Sequence, residues 1–150
     1  MKTQIWAHRG ASAYAPENTL EAFRLAAEMG ADGVELDVQL SRDGELVVAH
    51  DETIDRVSNG TGYIKDYTLA QLKELSFNRL FPAFKEARIP TLLEVYELLK
   101  PAGLTVNVEL KTGIILYPEI EEKVLALTAS MGMEDRVIYS SFCHPSLVRL

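Results

Sequence analysis

The sequence predicts an α/β fold, and more narrowly roughly the first five strands of a TIM (β/α)8 barrel. Short apolar runs alternate with amphipathic segments along the 150 residues, which is the order of strands and helices around a parallel sheet. Four of the predicted strands end in ionisable residues, as strands do at the C-terminal mouth of such a barrel. A whole barrel typically takes about 250 residues, so strands six to eight would have to follow.

Composition indicates a globular protein and excludes several classes of partner. Hydrophobic residues make up 47% and charged residues 25%, so we expect residues 1–150 to form the N-terminal portion of a single domain. The net charge is −7 and there is no basic run, so nucleic acid is a poor partner. No stretch is long enough for stable membrane insertion. A single cysteine, and no apolar signal core in residues 1–8, predict a cytoplasmic protein.

The first predicted elements are a strand and a helix. Residues 5–7 are a short apolar run that leads into a turn at Gly10. Residues 18–21 have the pattern of a capping box, so we expect Asn18 to be the N-cap of the helix that follows. Gly30 fits the position just after the end of that helix.

The second strand, over residues 33–39, alternates apolar and polar side chains. Successive side chains point to opposite faces of a strand, so Glu35 and Asp37 share one face. Two carboxylates at this spacing repel each other, and burying them unpaired is costly. Such a pair is most often kept where a metal or a substrate lies between its members.

The third predicted strand, residues 46–50, ends in His50. Its link to Asp37 is too short for a helical crossover. If a simple hairpin turn joins the two strands, the numbers of facing residues sum to 85 and His50 lies opposite Glu35. If the strands are parallel, His50 still ends its strand near the end of the second one. Both topologies bring His50 to the carboxylates.

The rest of the chain continues the alternation of helices and strands. The further predicted elements are a helix capped by a box at Thr68–Gln71, a helix capped by a box at Thr91–Glu94 and stopped by Pro101 and Gly103, a strand over residues 104–110, a helix with Pro118 in its first turn, a strand over residues 136–140, and a helix that starts near Pro145.

The ionisable strand ends indicate a metal site with acid/base chemistry. Glu35, Asp37 and Glu109 offer three hard oxygen ligands, which suit Mg²⁺ or Ca²⁺ rather than zinc. His8 and His50 come from different strands and could flank one reacting atom as acid and base.

Two cations accompany these residues and leave a second interpretation open. Arg9 and Lys111 could neutralise an anionic group of a substrate. They could instead form salt bridges with Glu35 and Asp37 without any metal, and a strand-end histidine is often only a structural hydrogen-bonding residue.

Five ordered motifs, between about residue 5 and the last residue, resemble those of the glycerophosphodiester phosphodiesterases. They are Ala7-His8-Arg9-Gly10-Ala11, Pro16-Glu17-Asn18-Thr19, Glu35-Leu36-Asp37-Val38, Val48-Ala49-His50-Asp51 and Asn107-Val108-Glu109-Leu110-Lys111. The resemblance implies a (β/α)8 barrel that uses a divalent cation, Mg²⁺ or Ca²⁺. It also implies hydrolysis of a small-molecule glycerophosphodiester to glycerol 3-phosphate and an alcohol.

The same resemblance implies roles for individual residues. Matched motif by motif, the metal ligands are Glu35, Asp37 and Glu109, the acid/base pair is His8 and His50, and the substrate-binding cations on the phosphate side are Arg9 and Lys111. The C-terminal third of the family, with its aromatic strand motif, has no counterpart here. A missing C-terminal segment or a homo-oligomer would therefore complete the barrel.

Two other functions fit parts of the pattern. A phosphatidylinositol-type phospholipase C shares the barrel and a histidine pair, but it needs an apolar rim to meet a membrane. A truncated, catalytically inactive barrel fragment that binds metal or phosphate would share the carboxylates without turnover. Activity on phosphatidylinositol vesicles would favour the first alternative, and an inactive monomer would favour the second.

Overall fold

Strands and helices alternate along residues 3–150, the part of the chain that the computed structural model describes. In chain order the elements are β1 (Trp6–His8), α1 (Leu20–Glu28), β2 (Gly33–Leu40), β3 (Leu46–Val48), α2 (Leu69–Glu74), α3 (Leu92–Ala102), β4 (Thr105–Leu110), α4 (Ile120–Ser130), β5 (Val137–Ser140) and α5 (His144–Arg149). Single 3₁₀ turns span Ile64–Asp66 and Glu134–Arg136. None of the helices in this part of the chain is both long and apolar enough to cross a bilayer.

Four strands run parallel to one another in the order β1-β2-β4-β5. In this register His8 lies beside Glu35, and Asp37 lies beside Glu109. The C-terminal ends of these strands therefore share one edge of the sheet, and the ionisable strand ends meet there. The predicted α/β architecture with a parallel sheet is confirmed.

The third strand differs from the others because it runs antiparallel to β2. The hairpin topology is thus the observed one, but its predicted register is wrong. The numbers of facing residues sum to 86, as for Val38 and Val48, rather than to 85. The paired region ends at Val48, so His50 lies beyond the strand and is not paired with Glu35.

The shift of one residue has its cause in the turn. Ser41 donates its backbone N–H to the carbonyl of Glu45 at 3.0 Å, so the loop between them holds three residues instead of two. The third of these, Gly44, has a φ of +80°. A glycine in the left-handed region is what a three-residue hairpin loop requires at this position.

The capping boxes predicted the starts of α2 and α3 correctly, but not the start of α1. The capping boxes at Thr68–Gln71 and Thr91–Glu94 are both present, which confirms those starts. The predicted cap at Asn18 is wrong, because α1 begins at Leu20 and Thr19 is the N-cap. Asn18 instead has a φ of +56°, and its side chain points into the structure away from the helix start.

The ends of two helices near prolines agree only in part with the prediction. Gly103 ends α3 with a φ of +74°, as predicted, but Pro101 lies inside the helix, which continues to Ala102. In the last turn a proline removes one backbone hydrogen bond and does not prevent the helix from continuing. Pro118 precedes α4, because Glu119 adopts a φ of +64° and the helix begins only after it.

Most of the apolar core lies between one face of the sheet and the helices. Val34, Leu36 and Val38 on β2 are buried in a cluster with α1, α3 and α4, among them Phe23 and Leu99. Because side chains alternate along a strand, the polar residues of β2 occupy the opposite face. A second apolar cluster lies within residues 47–89 and supports the segment after β3.

Candidate functional site

Three carboxylates meet on the polar face of the sheet. One ligand oxygen from each of Glu35, Asp37 and Glu109 lies within 4.8 Å of the others. The parallel register causes this, because Asp37 on β2 lies beside Glu109 on β4, and Glu35 is two residues earlier on the same face. The Asp37 side chain is 1% exposed, so this cluster is largely removed from water.

The carboxylates perturb one another. Burial, followed by the charges of Asp37 and Glu109, raises the pKa of Glu35 to about 7. Burial also raises the pKa of Asp37, although a hydrogen bond from Asn18 opposes this. For both groups, the cost of removing the carboxylate from water exceeds what the neighbouring positive charges and hydrogen-bond donors give back.

Both predicted cations contact this cluster. Arg9 Nε lies 3.4 Å from Asp37 Oδ2, and Lys111 Nζ lies 3.1 Å from Glu109 Oε1 and 3.8 Å from Asp37 Oδ1. Three negative side chains against two positive ones leave one negative charge unmatched. Glu35 contacts neither of these two charged groups closely. Its carboxylate accepts a hydrogen bond of 3.2 Å from the backbone N–H of Arg9 and lies next to the ring of His8. Three oxygen donors with this charge balance fit a hard divalent cation.

The two predicted histidines approach the cluster from different elements. His8 ends β1, and its Nε2 lies 3.6 Å from Glu35 Oε2 with the side chain 69% exposed. His50 follows β3 and is close enough to Asp37 to lower the pKa of that carboxyl group. Its Nδ1 lies 2.7 Å from Asp51 Oδ1. Of the two imidazoles, His50 is the more firmly held.

Buried Gln39 holds the backbone around His50. Its amide Nε2 donates to the carbonyl groups of Ala49, His50 and Asp51 at 3.0, 3.2 and 2.7 Å. Its Oε1 accepts a hydrogen bond of 2.9 Å from the hydroxyl of Tyr117. Gln39 lies on the same face of β2 as the carboxylates, so one strand both carries acidic residues and positions a histidine.

Two non-glycine residues at the site have left-handed backbone conformations. The φ angles are +58° at Arg9 and +56° at Asn18, and the N–H of Asn18 donates to the carbonyl of Arg9. Both side chains reach Asp37, and Asn18 Nδ2 donates to Asp37 Oδ2 at 2.9 Å. Strained backbone of this kind concentrates at functional sites, where surrounding contacts hold it in place.

Sequence reasoning did not identify every residue that contacts the site. Those it missed are Glu17, Asn18, Gln39, Asp51 and Arg56. The alternation along the second strand puts Gln39 on the same face as Asp37, but it gave that residue no role. Glu17, Asn18 and Asp51 lie within the motifs that carry the family resemblance, and this was the signal that could have found them. Arg56 had no signal, because its two partners lie 5 and 39 residues away along the chain.

Comparison with known proteins points to one family. Residues 8–150 match the sequence pattern of the glycerophosphoryl diester phosphodiesterase family. A glycerophosphodiester phosphodiesterase of Caldanaerobacter subterraneus subsp. tengcongensis is 54% identical over 148 residues, which cover 98% of this chain and 61% of that protein.

Solved structures show the same similarity in three dimensions. A glycerophosphodiester phosphodiesterase from Agrobacterium tumefaciens matches with a TM-score of 0.88 and 40% identity, over 97% of this chain and 60% of that one. An Oleispira antarctica phosphodiesterase in complex with the product sn-glycerol-3-phosphate matches with a TM-score of 0.83 and 36% identity, over the same shares. The predicted barrel fold is confirmed, with four of its parallel strands among the described residues. The chain spans about 60% of the length of these proteins.

Proposed function

Since this chain belongs to the glycerophosphoryl diester phosphodiesterase family, we propose that it carries the catalytic centre for metal-dependent hydrolysis of a glycerophosphodiester. The products would be glycerol 3-phosphate and an alcohol. The observation that carries the proposal is the cluster of Glu35, Asp37 and Glu109 with a histidine arriving from each of two other elements. The Oleispira relative, whose complex contains sn-glycerol-3-phosphate, supports the substrate class.

Glu35, Asp37 and Glu109 would hold a divalent cation, Mg²⁺ or Ca²⁺. A bound cation would withdraw charge from phosphorus and orient the diester. The protein's own contribution is to hold three oxygen donors within 4.8 Å of one another, with Asp37 fixed by the Asn18 amide at 2.9 Å. This preorganisation means that the carboxylates need not be brought together when the substrate arrives.

His8 and His50 would exchange protons with the substrate. One imidazole removes a proton from the attacking oxygen, which is a water or the neighbouring glycerol hydroxyl, and the other protonates the departing alkoxide. The carboxylate of Asp51 accepts the Nδ1 proton of neutral His50, which leaves Nε2 as the nitrogen that can take up a proton. His8 is much more exposed and has only Glu35 beside its ring among the ion pairs found in residues 3–150.

Arg9 and Lys111 would bind the phosphate and stabilise the charge that develops on it. Both side chains are less than one-fifth exposed, at 19% and 14%. In the described residues their charges are engaged by Asp37, Glu109 and Glu17. Both side chains therefore lie next to the carboxylates that would hold the cation, where an anionic substrate group would come within their reach.

Release of glycerol 3-phosphate from glycerophosphocholine tests the proposal. We expect EDTA to abolish it and Mg²⁺ or Ca²⁺ to restore it, and His8→Ala and His50→Ala to lower the rate by about 100-fold or more. The matched control is His144→Ala, because this third histidine begins α5 outside the site. A rate that EDTA and both site variants leave unchanged would contradict the proposal.

Two further measurements separate the alternatives. Cleavage of phosphatidylinositol in vesicles but not of glycerophosphocholine would favour a phospholipase C. Metal binding by calorimetry without turnover of either substrate would favour an inactive barrel fragment. That residues 1–150 form the N-terminal portion of a single barrel domain, and that the protein is cytoplasmic, stay predictions alongside the function.

A further inference from the structure

Arg56 contacts two carboxylates that come from different loops. Its Nε donates to Asp51 Oδ2 at 2.7 Å, and Nη1 and Nη2 each donate to one carboxylate oxygen of Glu17 at 2.8 Å. A guanidinium group holds a carboxylate in this two-bond fork at a defined angle, which an ammonium group cannot do. Arg56 therefore fixes the loop before α1 relative to the segment after β3.

Each of these carboxylates also contacts a predicted site residue. Asp51 Oδ1 lies 2.7 Å from Nδ1 of His50, and Glu17 Oε1 lies 3.2 Å from Nη1 of Arg9. Arg9 in turn places Nε 3.4 Å from Oδ2 of Asp37. Contacts between groups of opposite charge thus lead from His50 to the carboxylate cluster. Arg56 lies in the middle of this series and joins Asp51, beside His50, to Glu17, beside Arg9.

These contacts persist at neutral pH. The hydrogen bonds from Arg56 lower the pKa of Glu17. Burial raises the pKa of Asp51, but hydrogen bonds from Arg56 and His50 outweigh it and bring that pKa to about 2. The two carboxylates in turn raise the pKa of the Arg56 guanidinium. Glu17, Asp51 and Arg56 therefore all remain charged at neutral pH, and the ion pairs between them stay formed.

We propose that Arg56 is a positioning residue that orients the His50 imidazole and the Arg9 guanidinium together. It contacts neither of them and acts through Asp51 and Glu17. This assignment rests on the proposed function, because that function gives the two oriented groups their use. While Asp51 is held in place, Nδ1 of the imidazole keeps its proton and Nε2 stays available to the substrate.

An ordinary surface ion pair is the competing interpretation. The Arg56 side chain is 41% exposed, and exposed ion pairs contribute little to stability on average. On that interpretation, removal of the guanidinium leaves both the His50 tautomer and turnover unchanged. The two interpretations therefore differ in quantities that do not depend on stability.

The tautomer of His50 is the first readout. The sequence contains three histidines, so side-chain ¹⁵N spectra at pH 8 in EDTA are simple, and the His50 signals are those lost in His50→Gln. We expect the Nδ1–H form in the wild-type protein and a mixture of both tautomers in Arg56→Met. The control is Arg79→Met, because Arg79 lies in a nearby loop and donates to the backbone carbonyl of Asp55. An unchanged tautomer in Arg56→Met would overturn the proposal.

Turnover is the second readout. We expect Arg56→Met to lower kcat by roughly 10- to 100-fold, as when a group that orients a functional residue is lost. KM should rise as well, because Arg56 also orients Arg9, which would bind the phosphate. In Arg56→Lys the ammonium group can reach one carboxylate but not both, so the kcat of this variant should lie between those of the wild-type protein and Arg56→Met. Arg79→Met should stay within about twofold of the wild-type rate. A kcat for Arg56→Met equal to that of the control would contradict positioning.

The two readouts keep the positioning proposal separate from the proposed function. If the wild-type protein does not hydrolyse diesters, the proposed function fails, and the tautomer of His50 still decides whether Arg56 orients it. If Arg56→Met does not fold, Arg56→Gln carries the tautomer test, because glutamine is polar but has neither the positive charge nor the two-bond fork. A mixture of forms would then support the proposal, and a single Nδ1–H form would overturn it.

Discussion

Replacing Glu35 by Gln should stabilise the metal-free protein while it removes metal binding. The substitution keeps the shape of the side chain and an oxygen that can accept the 3.2 Å hydrogen bond from the backbone of Arg9, but it removes the charge. In the metal-free protein that charge is unfavourable, because burial and the neighbouring carboxylates raise the pKa of Glu35 from 4.5 to about 7.

The sign and size of the effect follow from proton linkage. Between pH 4.5 and about 7 the folded state retains a proton on Glu35 that the unfolded state releases, so stability falls as the pH rises through this range. Each unit of pKa difference corresponds to about 1.4 kcal/mol, which gives about 3 kcal/mol above pH 7. The side chain is 14% exposed, and screening by water reduces the expected loss to about 2 kcal/mol.

Urea unfolding in EDTA measures this quantity. At pH 8 we expect Glu35→Gln to be more stable than the wild-type protein by about 2 kcal/mol, and the difference should shrink below about pH 5. Saturating Mg²⁺ or Ca²⁺ should stabilise the wild-type protein, by about 2.7 kcal/mol at a hundredfold excess over Kd, and should have little effect on the variant.

Glu97→Gln is the matched control, because Glu97 is an exposed carboxylate on α3. It should unfold like the wild-type protein with and without metal. If Glu35→Gln is less stable than the wild-type protein at pH 8 in EDTA, the reasoning is refuted. Arg9 and Lys111 would then already neutralise the cluster, as the salt-bridge interpretation requires.

Two further predictions concern the contacts that support the site. Tyr117→Phe removes the buried hydrogen bond of 2.9 Å to Gln39 and should lower the free energy of unfolding by about 1–2 kcal/mol in urea titrations; no loss would show that this bond is not formed. Gly10→Ala should cost more than about 2 kcal/mol, because Gly10 has a φ of +77° and an added Cβ would lie 2.7 Å from the α1 backbone. Gly30→Ala, with a φ of +78° and open space around it, should cost only about 1 kcal/mol, and equal losses would contradict the steric argument.

Much of the candidate site could be predicted because its residues follow local rules. The two-residue period of β2 placed Glu35 and Asp37 on one face, and the parallel register then brought Glu109 beside them. The capping boxes at Thr68 and Thr91 likewise depend on residues only three positions apart. The roles of the site residues as metal ligands, acid and base stay predictions.

The errors arose where one residue of difference changes the outcome. The hairpin register depends on whether the loop holds two or three residues, and Gly44 in the left-handed region decided for three. At the start of α1, both Asn18 and Thr19 are good caps by type. Asn18 is instead drawn away from the helix by its hydrogen bond with Asp37, a contact between residues 19 positions apart.

The sequence by itself determined the order of strands and helices, the face on which the acidic residues lie, and the family to which the chain is similar. Only the tertiary structure decided how the histidine after β3 is held. Tyr117 reaches Gln39 across 78 positions, and Arg56 reaches Glu17 across 39. Periodicity and capping act over a few residues, whereas these contacts depend on how separate loops pack, which local patterns do not encode.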